Sequence, residues 1–352
     1  MEILKKVNSS RRHLMRGMTK NIGRQRTKSP NKPEIAPQIN RILISRPNSR
    51  LGNLLLITPL LEEVAATFPT CKIDLFVRGN LAPIIFKNYP NVNKIITLPG
   101  KPFKFLREYI YGWLAVRSQR YDLVINVDKN SSSGRLSTQF SNAKYKIFGD
   151  TNDRIILQHR DQDHMAKQPV YMFRDYLNDL GIMPANREVA PLNLKLSAEE
   201  IDQGRKVLRD LVKNDKQTIA IFTFATGNKR YSESWWKDFY ERLKSEYPNY
   251  NIIEILPVEN ISQIGFEGTS FYSRDIREIG AVLANTSLFI GADSGIMHLA
   301  SAAQVPTVGL FAVTELAKYQ PYNNNSVAIN TNTSHADDWS ETINRILLAK
   351  ER

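Results

Sequence analysis

The 352 residues carry 48 Lys and Arg against 35 Asp and Glu, a formal net charge of +13, and 42% of positions are apolar. That length and composition suffice for about two folded domains and exclude disorder over most of the chain. No run of about 18 uninterrupted apolar residues occurs, so no membrane-spanning helix is expected.

The charge is uneven. Residues 1–40 hold ten Lys and Arg against Glu2 and Glu34, so this arm carries +8 of the +13. It lacks the apolar stretch of a secretory signal. Its apolar residues (Ile3, Leu4, Val7, Leu14, Met15, Met18) suit either a short basic amphipathic helix lying on anionic lipid or a solvated tail. The body shows no aromatic–basic stripe, so nucleic acid is not an expected partner. The lone cysteine, Cys71, excludes an internal disulfide and suits a reducing compartment.

Regular structure is expected from residue 41. Residues 41–45 read as a buried strand, followed by a Gly/Asn-containing turn and a helix over 54–68 that Pro69 stops. Strands follow at 72–77, 94–98 and 121–127, with helices at 80–88 and 103–120. Residues 182–197, with two prolines, read as a linker. Ser197 and Glu200 form a capping-box pattern for a helix over 198–213. Strands recur at 218–224, 251–256, 287–291 and 307–311, and 337–349 reads as a terminal amphipathic helix. Strands alternating with helices imply βαβ units, a parallel sheet and right-handed crossovers. The pattern fits two α/β halves with a cleft at the carboxyl ends of their strands; one sheet of about ten strands is the alternative.

Several chemistries are missing. There is no Gly-x-Gly-x-x-Gly, no P-loop and no Gly-x-Ser-x-Gly elbow. The five histidines show no zinc spacing, so no metal site is expected.

Three strand ends carry candidate residues. After the strand at 287–291, Asp293-Ser294-Gly295 opens a helix that also carries His298. Asp or Ser there caps free amides, Gly295 permits close approach, and the N–H groups with the helix dipole suit a diphosphate. An ordinary capped helix with a core histidine fits the same residues. After the strand at 218–224, Ala225-Thr226-Gly227-Asn228-Lys229-Arg230 places an ammonium where charge on a leaving phosphate could be stabilised, or a solvated loop lysine. After the strand at 251–256, Glu259 could take ribose hydroxyls, or be a solvated carboxylate.

Taken in order, the run from Arg46 to Leu60, Lys229-Arg230 before Trp235-Trp236, Asp293-Ser-Gly-Ile-Met-His-Leu-Ala300 and Pro306–Phe311 resemble family 9 glycosyltransferases, the ADP-heptose:lipopolysaccharide heptosyltransferases. The resemblance covers about residues 40–330. It implies a GT-B fold: two Rossmann-like, doubly wound parallel-sheet domains facing a central cleft. The basic arm at 1–40 lies outside the resemblance; the implied organisation beyond it is an acceptor domain at 41–185, a donor domain at 186–335 and a helix at 336–352 crossing back to the first domain. It also implies inverting transfer of heptose from ADP-heptose to an inner-core lipopolysaccharide acceptor.

By motif match, Ala225, Thr226, Lys229, Glu259, Asp293, Ser294, Gly295 and His298 would bind the donor. Arg46, Asn48, Arg50, Lys129 and Arg135 would meet the anionic acceptor. No cofactor is required beyond the nucleotide-sugar substrate, and a divalent cation is compatible but not implied. A cytoplasmic enzyme, held peripherally at the inner leaflet by residues 1–40, fits a lipid-linked acceptor.

One position departs from the pattern. The family usually has Gly-Asp after the first strand, with that Asp the expected base; here it is Gly52-Asn53. An amide does not accept a proton as a carboxylate does. Asp128, at the end of the strand 121–127, is the alternative base, or a cap of the following turn; otherwise Asn53 only orients the acceptor hydroxyl, and a phosphate or water takes the proton late. A non-catalytic binder of nucleotide sugar or glycan, and a transferase using another nucleotide sugar, are the competing functions.

Overall fold

A computed structural model describes residues 14–23 and 36–350, without the Lys350 side chain. The chain divides into two units: Met1–Ser49, Pro59–Pro83 and Tyr89–Ala190 form the first, and Arg50–Thr58, Ile84–Asn88 and Pro191–Arg352 the second.

The first unit is built on five parallel strands in the order β3-β2-β1-β4-β5. These are β1 (Arg41–Arg46), β2 (Lys72–Arg78), β3 (Val92–Leu98), β4 (Arg120–Asn126) and β5 (Asn142–Ile147). Central strand β1 is buried from Ile42 to Arg46, the near-continuous burial of a parallel strand covered on both faces. On one face, Leu43, Phe76, Ile96, Leu98 and Val124 meet Val116 and Ala115 of helix α5 (Leu106–Ser118).

Part of the expected arm is ordered on this unit. Helix α1, described over 14–19, leads to a turn at 20–23. Thr19 is buried, and its hydroxyl donates to Ser132 Oγ at 3.0 Å. Arg135 Nη2 donates to the Ile22 carbonyl at 2.5 Å. Residues 1–13 and 24–35, which hold most of the arm's cations, lie outside the described residues.

The second unit carries six parallel strands in the order β11-β10-β9-β6-β7-β8. They are β6 (Thr218–Phe222), β7 (Asn251–Ile255), β8 (Thr269–Phe271), β9 (Leu288–Ala292), β10 (Thr307–Phe311) and β11 (Val327–Asn330). Its core joins Ile219, Ile221, Leu288, Ile290, Val308 and Leu310 to Trp236, Phe239 and Leu243 of α10 (Glu233–Glu246). Helix α9 (Ala198–Val212) opens with the expected capping box, Ser197 and Glu200 each bonding the other's backbone N–H. Terminal helix α14 (Ala336–Lys350) buries Trp339, Ile343, Ile346 and Leu347 in this same core.

Both sheets reverse direction in strand order beside the first strand of the unit, between β1 and β4 and between β6 and β9. A crevice opens at the carboxyl ends of such strand pairs, where ligands of parallel α/β sheets bind. Two separate parallel sheets replace the single-sheet alternative, and the fold is of GT-B type.

Candidate active site

In the second unit the carboxyl ends of β6 and β9 bring together the two runs singled out in the sequence. Strand β6 continues through Thr223–Thr226 into a short 3-10 turn at Gly227–Lys229, where Gly227 takes φ 66°. Strand β9 ends at Ala292, and Asp293 and Ser294 lead into α12 (Gly295–Ala302). Ser294, extended at φ −149°, caps α12 by accepting the Met297 N–H at 3.2 Å.

The Lys229 Nζ lies 2.5 Å from Asp293 Oδ2. Asp293 is buried, whereas the lysine side chain is 38% exposed. The ammonium also sits 5.8 Å from the centre of the Tyr319 ring. An ammonium has three N–H donors, and the Asp293 bond uses one. Asp293 therefore fixes the cation beside the start of α12 while leaving it able to donate to an anion. Ser294, Gly295 and Ile296 are half-exposed there, so the helix start is accessible. Arg230, the neighbouring cation, is folded onto its own loop: its guanidinium lies 4.1 Å from the Phe224 ring centre, and Nε donates to the Ala225 carbonyl. Tyr231 donates or accepts a hydrogen bond with Thr331 at 2.8 Å; burial, with a smaller push from Asp293, raises its phenol above the usual range.

His298 is buried in α12, 6.3 Å from the Tyr319 ring. Its other neighbour is α2 (Leu51–Leu55), which belongs to this unit. A Cβ added to Gly52 would stand 2.6 Å from His298 Cδ2, and one added to Gly295 would stand 3.2 Å from Leu51 Cβ. The paired glycines let the two helix starts touch. Asn53 is thus one residue from the contact with α12, partly exposed, inside a helix. The expected turn at Gly52-Asn53 is corrected to a helical turn, and the expected helix over 54–68 is split into α2 and α3 (Thr58–Thr67) ahead of Pro59.

Glu259 lies four residues past the end of β7, exposed, in a loop where Asn260 takes φ 53°. Ala225 is buried and Thr226 exposed on the β6 loop. Tyr319, in α13 (Leu316–Tyr319), was not singled out by the sequence; no spacing or motif marks an aromatic that meets Lys229 and His298 only through folding.

The first unit has candidate strand ends of its own. Arg46, at the end of β1, is buried, and its Nη1 donates to Asp128 Oδ2 at 2.7 Å. Asp128 Oδ1 accepts the Asn130 N–H at 2.9 Å, and its backbone carbonyl accepts from Ser131. This is the geometry of a strand-end cap that anchors Arg46. Lys129 is exposed, and Asn48 is half-exposed with its N–H on the Arg46 carbonyl. Arg50, in the second unit, is exposed at the start of α2.

Arg135 is corrected from an acceptor contact to a structural clamp. It is 1% exposed, forks onto both Asp150 oxygens at 3.0 and 2.9 Å, and also donates to the Ile22 and Phe148 carbonyls. A guanidinium so spent has no face left for a ligand.

An open depression of about 620 Å³ between Pro69, Cys71, Lys72 and Asn91 lies at the amino ends of β2 and β3, opposite the end that binds ligands in such sheets. Cys71 there is buried, and burial pushes its thiol up to about 12, so it is inert at neutral pH. Among the described residues, no group of three or more His, Cys, Asp and Glu is placed to hold a metal ion, and no helix is long and apolar enough to cross a membrane.

Residues 273–345, which contain β9, α12 and β10, match the model of glycosyltransferase family 9 (heptosyltransferase). A lipopolysaccharide heptosyltransferase 3 of Escherichia coli is 24% identical over 295 residues, 78% of this chain and 85% of that protein. The chain is therefore similar to family 9 glycosyltransferases over residues 273–345 and to a lipopolysaccharide heptosyltransferase over most of its length. Lipopolysaccharide heptosyltransferase 1 of Campylobacter coli is 23% identical, covering 82% of this chain and 90% of the relative. Among solved structures, the E. coli ADP-heptose lps heptosyltransferase II superposes with a TM-score of 0.65 at 16% identity, over 89% of this chain and 100% of that one. A glycosyl transferase family 9 structure from Veillonella parvula gives 0.63 at 18% identity, over 88% and 91%. At such identities the structural likeness carries the fold.

Proposed function

We propose that this protein moves a heptose from ADP-heptose to an inner-core lipopolysaccharide acceptor, with inversion at the transferred carbon, at the cytoplasmic face of the inner membrane. The single observation that carries the reading is the Lys229–Asp293 pair beside the capped start of α12. A fixed ammonium and convergent helix amides suit a diphosphate and the charge that builds on it as the glycosidic bond breaks. In this reading Lys229 meets the diphosphate; Asp293 positions Lys229; Ser294 and Gly295 present the α12 amides; His298 supports that loop. Ala225 and Thr226 line the β6 side, and Glu259 takes the ribose. Asn48, Arg50 and Lys129 face the anionic acceptor, and Arg46, buried against Asp128, positions that carboxylate.

Asn53 orients the attacking hydroxyl through its amide rather than removing its proton. Asp128 is the carboxylate proposed to receive that proton, and doing so would require it to exchange one of its present hydrogen bonds for the acceptor hydroxyl. Asn53 also favours a second reading, a binder that does not turn over.

Incubation with ADP-heptose and a truncated core acceptor tests both. ADP release with a matching gain in acceptor mass is expected. Lys229→Ala should lower kcat/KM at least tenfold, about 1.4 kcal/mol of transition-state stabilisation. Asp128→Asn should lower kcat more than donor affinity. Donor binding without product would establish the binder; unchanged kinetics in Lys229→Ala would remove the donor assignment.

A further inference from the structure

Helix α5 is apolar on two opposite sides. Its inner side packs on the first sheet: Val116 and Ala115 are buried there, and Trp113 meets the Phe76 ring edge-on at 5.4 Å. A surface helix so anchored ordinarily turns charge outward. Here the outward stripe is Leu106, Ile110 and Leu114, one residue per turn, 55%, 49% and 55% exposed. Tyr111 flanks it, and Phe103, three residues before the stripe, is 86% exposed.

The charged residues of the same segment are nearly all of one sign. Lys101, Lys104, Arg107, Arg117 and Arg120 are all exposed, against the single acid Glu108.

We infer that this face of α5 docks on an anionic lipid surface, seating Phe103, Leu106, Ile110, Tyr111 and Leu114 at the headgroup boundary with the flanking cations on lipid phosphates. Both halves of the pattern are needed for this partner. Aliphatic and aromatic side chains one row deep match the shallow burial of an interfacial helix. Lys and Arg reach past them to the headgroups on their own methylene stems. Charge decides against a second copy of the chain, because pairing this face with itself would oppose five cations to five. The inference places lipid contact on a folded helix rather than on residues 1–40, and it does not depend on the donor-site assignment.

The test is flotation of the full-length protein with vesicles of phosphatidylethanolamine and phosphatidylglycerol, against vesicles of phosphatidylcholine alone. The protein should float with the anionic vesicles and release as salt rises. The triple variant Leu106→Ser, Ile110→Ser, Leu114→Ser should partition at least tenfold less, with an unchanged melting temperature because those side chains are already exposed. Lys104→Glu with Arg107→Glu should lose anionic-vesicle binding without touching the apolar stripe. ADP-heptose binding should be unaltered in both variants, which separates failure here from failure of the proposed function. Three results would overturn the inference: no binding to anionic vesicles, undiminished binding in both variants, or binding abolished by deleting residues 1–13 alone. Loss of a dimer in sedimentation velocity as the triple variant's only change would assign the face to a second copy and overturn it equally.

Discussion

Replacing Gly52 by alanine isolates the contact between α2 and α12. The new Cβ would stand 2.6 Å from His298 Cδ2, where ordinary carbon contacts lie at about 3.5–4.0 Å. Roughly 1 Å must be recovered by moving either the imidazole or the helix. The imidazole has little room, because His298 is buried. Overpacking of this kind costs about 1–3 kcal/mol. Against that, alanine is better than glycine in a helix by about 1 kcal/mol. The net expectation is about 1 kcal/mol of destabilisation, a fall in melting temperature of about 2–4 °C for a domain of this size. Catalysis should suffer more than stability, since a displacement approaching 1 Å at a reacting site costs up to about 100-fold. The assay is a double-mutant cycle with His298→Ala, read by thermal denaturation and by kcat/KM for transfer. Truncating the imidazole removes the atom that Cβ strikes, so the stability cost of Gly52→Ala should vanish in the His298→Ala background, a coupling of about 1 kcal/mol or more. Equal costs of Gly52→Ala in both backgrounds, or a single variant as active as wild type, would refute the reasoning.

Two further outcomes are expected. Glu200 is held near pKa 2, against an ordinary 4.5, chiefly by the Arg277 fork onto its carboxylate. A depressed folded-state value means the stabilisation is complete above about pH 4.5 and is lost as pH falls towards 2. It is worth at most about 3 kcal/mol. The urea-midpoint difference between wild type and Glu200→Gln should therefore be large at pH 7 and shrink below pH 4; a pH-independent difference would contradict the assignment. Arg135→Ala should cost about 3–5 kcal/mol by stranding Asp150 and the Ile22 and Phe148 carbonyls, and hydrogen exchange at 14–23 should rise. A selective rise in acceptor KM with unchanged stability would instead restore Arg135 to the acceptor site.

Much of the fold was legible because its signals are local. The apolar runs of β1, β2, β4, β6, β9 and β10 are buried on both faces and read as strands without neighbours. The Ser197–Glu200 cap announced α9 at the residue. The strands that escaped were β5, β8 and β11, each at the edge of its sheet. An edge strand needs fewer apolar residues, and Asn142–Ile147 holds two lysines and a tyrosine. The Gly52-Asn53 turn was misread for the opposite reason. Gly and Asn signal a break by propensity, but packing against Gly295 and His298 selects glycine for its missing Cβ and overrides that preference.

Residue order alone established the alternating α/β pattern, the candidate strand ends and the family resemblance, because periodicity, capping and motif spacing are properties of neighbours along the chain. Only the tertiary structure decided which of those candidates meet. The strand orders β3-β2-β1-β4-β5 and β11-β10-β9-β6-β7-β8 bring β6 beside β9, and with them Lys229 onto Asp293, 64 positions apart. They likewise bring Arg46 onto Asp128, and the fold closes Arg135 onto Asp150 and the α1 turn. A cation's role depends on what surrounds its charge, and that is settled in space, by the partners that folding delivers to it.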